Sequence, residues 1–282
     1  MRWKGRRTSS NIEDRRGQRG GGVGLAGGGL GLLAIVLMGA FFGVDISPLL
    51  NGTSDMSQSS KPSGPNEIDD AGEEFVGVVL ADTEAVWSEI FANSGLDYVD
   101  PTLVLYTGVT SSACGGAQSA MGPFYCPNDQ KVYLDMDFFR VMEQQLGAGG
   151  DFAKAYVVAH EIAHHVQNQL GTLSEANQVR ARSSDVESNA LSVRIELQAD
   201  CYAGVWGRAV DEKYGALEGG DIDEALNTAA RIGDDALQQA SQGVVVPDSF
   251  THGTSEQRQT WFYRGYQSGD PNQCDTFGAD RL

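Results

Sequence analysis

The stretch that decides the fold is Phe152–Leu170, FAKAYVVAHEIAHHVQNQL, with His160-Glu161-Ile162-Ala163-His164 at its centre. It is apolar enough to be a buried helix. Side chains four apart on a helix share a face, so His160 and His164 present two imidazoles together. Glu161 follows the first of them directly. Two imidazoles one turn apart, with a carboxylate beside the first, are what two zinc ligands and a general base require. Asp151 is read as the N-cap of this helix and Gly171 as its stop.

A catalytic zinc takes three protein ligands and keeps a fourth position for water. The third ligand is expected in Glu196-Leu197-Gln198-Ala199-Asp200, where Glu196 lies 32 residues after His164. Ser184-Asp185-Val186-Glu187 reads as a capping box that starts this second helix. Val186, Ala190, Val193, Leu197, Cys201 and Val205 carry it on at helical spacing. Asp200 is one turn after Glu196 and is placed to accept the second ring N–H of a ligand, His160 by preference. The competing reading of Glu196 and Asp200 is a solvated helix face, but Ile195, Leu197 and Ala199 leave little polar face there. His165 is read as a hydrogen-bonded histidine near the site and not as a ligand.

Further towards the C-terminus, a third helix is predicted from Asp221 to near Gly243, and a last one over Thr254–Tyr266 with Thr254 and Gln257 as its capping box. On the N-terminal side, Phe75 to Asn93 shows helical spacing and is ended by Ser94-Gly95. Thr102–Val109 reads as a strand. Gly122–Cys126 and Lys131–Asp135 read as two strands joined by a four-residue turn. These elements predict an α+β domain over residues 71–282. A small, mainly antiparallel sheet comes first and a mostly helical C-terminal half follows, with the metal in the cleft between them.

Charge is unevenly distributed along the 282 residues. Net charge is −18, yet residues 1–20 carry seven Arg or Lys against Glu13 and Asp14, a net of +5, which leaves −23 for the rest. So acidic a domain repels phosphate backbones, which excludes nucleic acid as a partner. Residues 21–44 carry no charge, and a helix over 23–44 would span about 33 Å, close to a bilayer's hydrocarbon core. The expectation is therefore a basic cytoplasmic segment at 1–20, a single-pass transmembrane anchor at 21–44 and a linker at 45–70. The catalytic domain would then lie outside the inner membrane. A cleaved signal peptide is the less favoured alternative, because the basic region is long and no A-x-A site follows. In an exported domain the four cysteines would form two disulfides. Cys114 with Cys126 is favoured by the short loop between them, leaving Cys201 with Cys274. In a cytoplasmic domain they would be buried thiols.

His160–His164 followed by Glu196-x-x-x-Asp200 resembles the gluzincin metallopeptidases. The resemblance is closer to the bacterial family called putative neutral zinc metallopeptidases. It is carried by Met1–Arg7 (MRWKGRR), Ser9–Gly17 (SSNIEDRRG), His160–Gln167 (HEIAHHVQ), Glu196–Gly204 (ELQADCYAG) and His252–Arg258 (HGTSEQR). It implies a zincin-like catalytic domain holding one zinc ion per chain. It also implies that His252 faces the metal and stabilises an oxyanion, with Arg258 holding His252 or the substrate.

The function expected is a zinc-dependent endopeptidase acting on a peptide or protein substrate, with Glu161 as general base. A catalytically silent or gated zinc-binding scaffold, chaperone-like towards envelope proteins, is the alternative. Glu161 argues against it, since a structural zinc site needs no base and closes its fourth position with Cys or His. A hydrolase of non-peptide amides would use the same chemistry. Nothing in the sequence sets an oligomeric state.

Overall fold

The computed structural model describes residues 1–16, 70–118 and 122–282. The chain is α+β. Its main sheet has four strands, β1 (Ile12–Asp14), β2 (Thr102–Tyr106), β6 (Lys131–Asp135) and β5 (Phe124–Cys126), in the order β1-β2-β6-β5. A separate hairpin pairs β3 (Val109–Ser112) with β4 (Gly115–Gln118). The helices are α1 (Ala71–Asn93), α2 (Asp137–Leu146), α3 (Asp151–Gln169), α4 (Thr172–Arg180), α5 (Asp185–Tyr214), α6 (Asp221–Arg231), α7 (Asp234–Gln242) and α8 (Ser255–Ser268).

The main sheet is not mainly antiparallel. β1 pairs with β2 in parallel, β2 with β6 in parallel, and only β5 with β6 is antiparallel. The cause lies in β1, which comes from the segment read as a basic tail. With β1 in the sheet, α1 becomes part of the crossover between two parallel strands. β2 then reads as an unbroken apolar run because both its faces are covered. Leu103 and Leu105 face the helices, while Val104 and Tyr106 pack with Cys126 and Tyr133 on the other side.

Residues 1–16 are built into the domain. Met1 and Ile12 are buried in the main core. Ser9 donates its N–H to the Gly77 carbonyl, and Leu103 donates to Asn11. The cations of this segment pair with acids of the domain: Arg6 with Asp82 at 2.6 Å, Arg7 with Glu84 at 3.1 Å, and Arg16 with Glu73 at 2.6 Å and with Asp70. The expected 21–44 span and all of the 45–70 linker except Asp70 lie outside the described residues. Among the described residues no helix is long and apolar enough to cross a membrane. The single-pass arrangement is therefore corrected. It put residues 1–20 and the catalytic domain on opposite sides of the inner membrane, yet residues 1–16 share one sheet and one core with that domain. Five of the cations taken for a membrane flank, Arg2, Arg6, Arg7, Arg15 and Arg16, are held in ion pairs.

Several local expectations also shift. The N-cap of α3 is Gly150, which has no side chain to cap the helix. Asp151 is the first helical residue, its carboxylate faces the Met1 amine, and Glu224 accepts the Phe152 N–H at 3.0 Å. Between α3 and α5 the chain forms α4, a helix that the sequence reading does not predict. The helix expected from Asp221 to Gly243 breaks into α6 and α7 at Ile232-Gly233. A side chain at Gly233 would lie 2.4 Å from the Ser255 backbone nitrogen. The capping boxes Ser184/Glu187 and Thr254/Gln257 are formed.

α5 and α8 cross at backbone contact. A Cβ on Gly204 would lie 2.0 Å from the Phe262 carbonyl oxygen, and one on Gly265 would lie 1.9 Å from that of Cys201. No other residue fits there, and the close crossing brings Arg258 to Asp200. Disulfides join Cys114 to Cys126 and Cys201 to Cys274, the second tying α5 to the C-terminal turn Pro271–Cys274.

Candidate metal centre and catalytic cleft

α3 runs against α5, and the facing side chains converge. His160 Nε2 lies 3.1 Å from Glu196 Oε2, and His164 Nε2 lies 3.6 Å from Glu196 Oε1. One donor atom from each of the three residues can be chosen so that all lie within 4.8 Å of one another. Tetrahedral zinc with ligand bonds of 2.0–2.1 Å sets ligand atoms about 3.3 Å apart. The two His–Glu separations bracket that value, so the donor set fits zinc.

Each histidine is held by its other ring nitrogen. His160 Nδ1 lies 2.8 Å from Asp200 Oδ1, and His164 Nδ1 lies 2.8 Å from Gln167 Oε1. Both partners only accept through those oxygens, so each Nδ1 carries the proton and each Nε2 offers its lone pair to a metal. Gln167 is fixed in turn. Its amide donates to the Ile195 carbonyl at 2.8 Å and to Gln198 Oε1 at 3.0 Å, and Gln198 donates to the Cys274 carbonyl at 3.1 Å. Sequence reasoning missed Gln167 and Gln198. The spacing of Gln167, three residues after His164 on one helix, is the signal that marks it.

Asp200 is fully buried. It accepts from Arg258 Nε at 2.8 Å and Nη2 at 3.0 Å, from the Tyr156 hydroxyl at 2.5 Å and from His160. Burial pushes its pKa up, but Arg258 and His160 outweigh that and hold it at about 2. Arg258 thus holds Asp200, a role the resemblance does not name, and it also lines the cavity. Tyr156, one turn before His160, is a further residue that sequence reasoning missed. Burial lowers the pKa of His160 while the Asp200 and Glu196 carboxylates raise it more, to about 10, so Nε2 holds a proton against Glu196 that a metal ion must displace to reach the lone pair. Glu196 is pushed up by burial and pulled well below the usual range by His164 and His160.

Glu161 opens onto a cavity of about 300 Å³, lined also by Phe124, Tyr125, Phe138, Val157, Ile232 and His252. Burial raises the Glu161 carboxyl above its ordinary range, against the pull of the two histidines. His252 sits on the loop before α8. Its Nδ1 lies 3.3 Å from Asp234 Oδ1 and 3.0 Å from the Thr251 hydroxyl. Asp234 Oδ2 accepts the backbone N–H groups of Thr251, His252 and Gly253 at 2.8, 2.7 and 3.0 Å. One buried carboxylate therefore shapes the loop and orients the ring. The structure brings His160, Glu161, His164, Glu196 and His252 to one cavity. Asp200 lies directly behind His160.

The family model described as "Putative neutral zinc metallopeptidase" matches residues 1–277. The chain is 52% identical over 287 residues to "Uncharacterized protein YpfJ" of Escherichia coli K12, with 99% of each chain covered. It is 46% identical over 209 residues to "Uncharacterized protein Rv2575" of Mycobacterium tuberculosis H37Rv, covering 71% of this chain and 68% of that one. No solved structure matches the chain significantly.

Proposed function

This chain belongs to the putative neutral zinc metallopeptidase family, and from that membership and the geometry of the cleft we propose that it is a zinc-dependent peptidase. The observation that carries the reading is the convergence of His160, His164 and Glu196 with Glu161 alongside them in the same cavity. A carboxylate in that place is what separates a hydrolytic site from a structural one.

Zinc, when bound by these three residues, would supply Lewis-acid polarisation of the scissile carbonyl and acidify a water. The chain's own groups do the rest. Glu161 takes a proton from the attacking water and passes it to the leaving amine. Its burial raises its affinity for that proton, which suits a group that must hold the proton between two steps. His252, oriented by Asp234, donates a hydrogen bond to the oxygen on which charge develops. Asp200, fixed by Arg258 and Tyr156, keeps His160 in the ligating tautomer, and Gln167 does the same for His164. An extended peptide is received along β5, the outer strand of the sheet beside the cavity.

The test is cleavage of a mixed peptide library by the zinc-loaded full chain beside Glu161→Ala. The whole chain is needed because β1 belongs to the sheet. Cleavage that falls by about 10²-fold or more in the variant, with zinc retained in both, supports the reading. A folded, zinc-bound parent that cleaves nothing removes it.

A further inference from the structure

The cavity lies between a helix and a strand, and one hydroxyl joins the two. β5 pairs only with β6 among the described strands, so its outer edge carries no strand partner there. Its residues alternate. Phe124 stacks on Tyr133 with ring centroids 4.8 Å apart, on the face away from α3. Tyr125 points the other way, with its ring 5.4 Å from that of His165. The Tyr125 Oη atom lies 3.0 Å from His165 Nδ1 and 3.0 Å from Asn168 Nδ2. Among the described residues, these are the hydrogen bonds that link β5 to α3.

The direction of each bond can be assigned. His165 Nε2 lies 2.7 Å from the Val99 carbonyl, which can only accept, and 2.8 Å from the Gln169 amide nitrogen, which itself donates to that carbonyl at 3.0 Å; the carbonyl contact is the shorter and has no other reading, so Nε2 carries the proton. Nδ1 is then an acceptor, and the Tyr125 hydroxyl donates to it. The Asn168 amide donates to the same oxygen. The hydroxyl is engaged both as donor and as acceptor, so its role is to hold and not to react. His165 is anchored on its far side by Val99 and by the Tyr98 ring at 5.8 Å. His165 follows the ligand His164 directly, and Asn168 is one turn further on. The turn that grips β5 is therefore the turn that presents a metal ligand.

We propose that Tyr125, His165 and Asn168 form a clamp that fixes β5 relative to the metal ligands. The clamp sets the register in which an extended peptide on β5 presents its scissile carbonyl to the water that Glu161 deprotonates. All three are positioning residues, and the proposal rests on the peptidase reading. The covalent tie of β5, Cys126 to Cys114, leads to the β3–β4 hairpin and not to α3, so it cannot do this. A misplacement of about 1 Å between reacting groups can cost up to 10²-fold in rate.

The test uses the zinc-loaded full chain with Tyr125→Phe and, separately, Asn168→Leu. Tyr125→Phe removes one oxygen and keeps the ring packing. kcat and KM are measured on a cleaved octapeptide and on its shortest cleaved derivative, with zinc content and the urea midpoint measured alongside. The clamp predicts that kcat/KM on the octapeptide falls by about tenfold or more, through KM as well as kcat, while the short substrate loses less than about threefold. Zinc content stays at one per chain. Amide hydrogen exchange should rise over residues 122–126 and not over 160–164. Equal losses on both substrates, or no loss on either, overturn the clamp and leave the peptidase reading standing. A wild-type chain that holds zinc and cleaves no peptide overturns the peptidase reading and the clamp's role with it.

Discussion

Asp200→Asn isolates what the buried Asp200–Arg258 pair contributes. The two side chains are 0% and 2% exposed. Arg258 gives two of its hydrogen bonds to Asp200, and its other partners, the Ile232 carbonyl and the Tyr156 hydroxyl, are neutral and 3.3 Å away. Asparagine keeps the shape but removes the charge, and it turns an amide nitrogen towards Arg258, Tyr156 or His160. A buried guanidinium stranded in this way costs about 3–5 kcal/mol. That is a large part of the roughly 5–15 kcal/mol that stabilises a domain. Urea unfolding of the full-length variant should show it as a shifted midpoint at unchanged slope. Zinc affinity should fall by about 10–100-fold, because His160 loses its carboxylate. The pH dependence gives an independent reading. The Asp200 pKa is held near 2 in the fold against an ordinary 3.8. A depressed acid stabilises the fold above its unfolded pKa and loses that contribution as pH falls through the folded one. The wild type should therefore lose about 2 kcal/mol between roughly pH 4 and pH 2 that the variant never had. Adding Arg258→Met to Asp200→Asn should restore part of the stability, since the stranded charge is gone. A single variant within about 1 kcal/mol of wild type, or a double variant less stable than the single, would refute the stranded-charge argument.

Four further outcomes follow from particular contacts. Gly265→Ala places a methyl 1.9 Å from the Cys201 carbonyl oxygen, so α5 and α8 must separate; we expect a loss of at least about 3 kcal/mol by urea titration. Asp234→Asn should lower kcat/KM by about 10-fold or more, through His252, while competition with a chelator shows zinc affinity unchanged. Gln167→Ala should do the reverse first, weakening zinc about 10–100-fold in the same competition assay. The Cys201–Cys274 bridge spans 73 residues and the Cys114–Cys126 bridge spans 12. Replacing each pair by serine should cost about 4 and about 3 kcal/mol respectively, read as urea midpoints.

The candidate metal site is legible because helical spacing brings its parts together within short stretches of chain. His160 and His164 sit one turn apart, as do Glu196 and Asp200, and each pair has a fixed facing direction before any tertiary contact is known. The residues that steady the site are less legible in proportion to their distance along the chain. Gln167 lies three residues from its histidine and shares its face. Asp234 reaches His252 through a helix break that no local pattern marks, because Gly233 is there for a contact with Ser255. Arg258 is visible as a cation near a histidine, but the carboxylate it holds lies across the Gly204–Gly265 crossing, so that pairing is not legible in the sequence.

The N-terminal segment fails for a different physical reason. Charge reads as exposure when its partners are unknown, and the partners here are distant in sequence: Arg6 with Asp82, Arg7 with Glu84, and Arg16 with Glu73. A basic run next to an uncharged apolar stretch then satisfies the pattern of a membrane flank. The three residues of β1 are too few to show strand periodicity, and two of them are acidic. What places them in the sheet is the unsatisfied edge of β2, a property of the folded domain that the segment itself does not encode. The same logic explains the sheet's parallel pairs. Hairpins announce themselves through short turns, as Pro127–Gln130 does between β5 and β6. A parallel pair is instead joined by a crossover, and for β1 and β2 that crossover includes the undescribed residues 17–69 as well as α1.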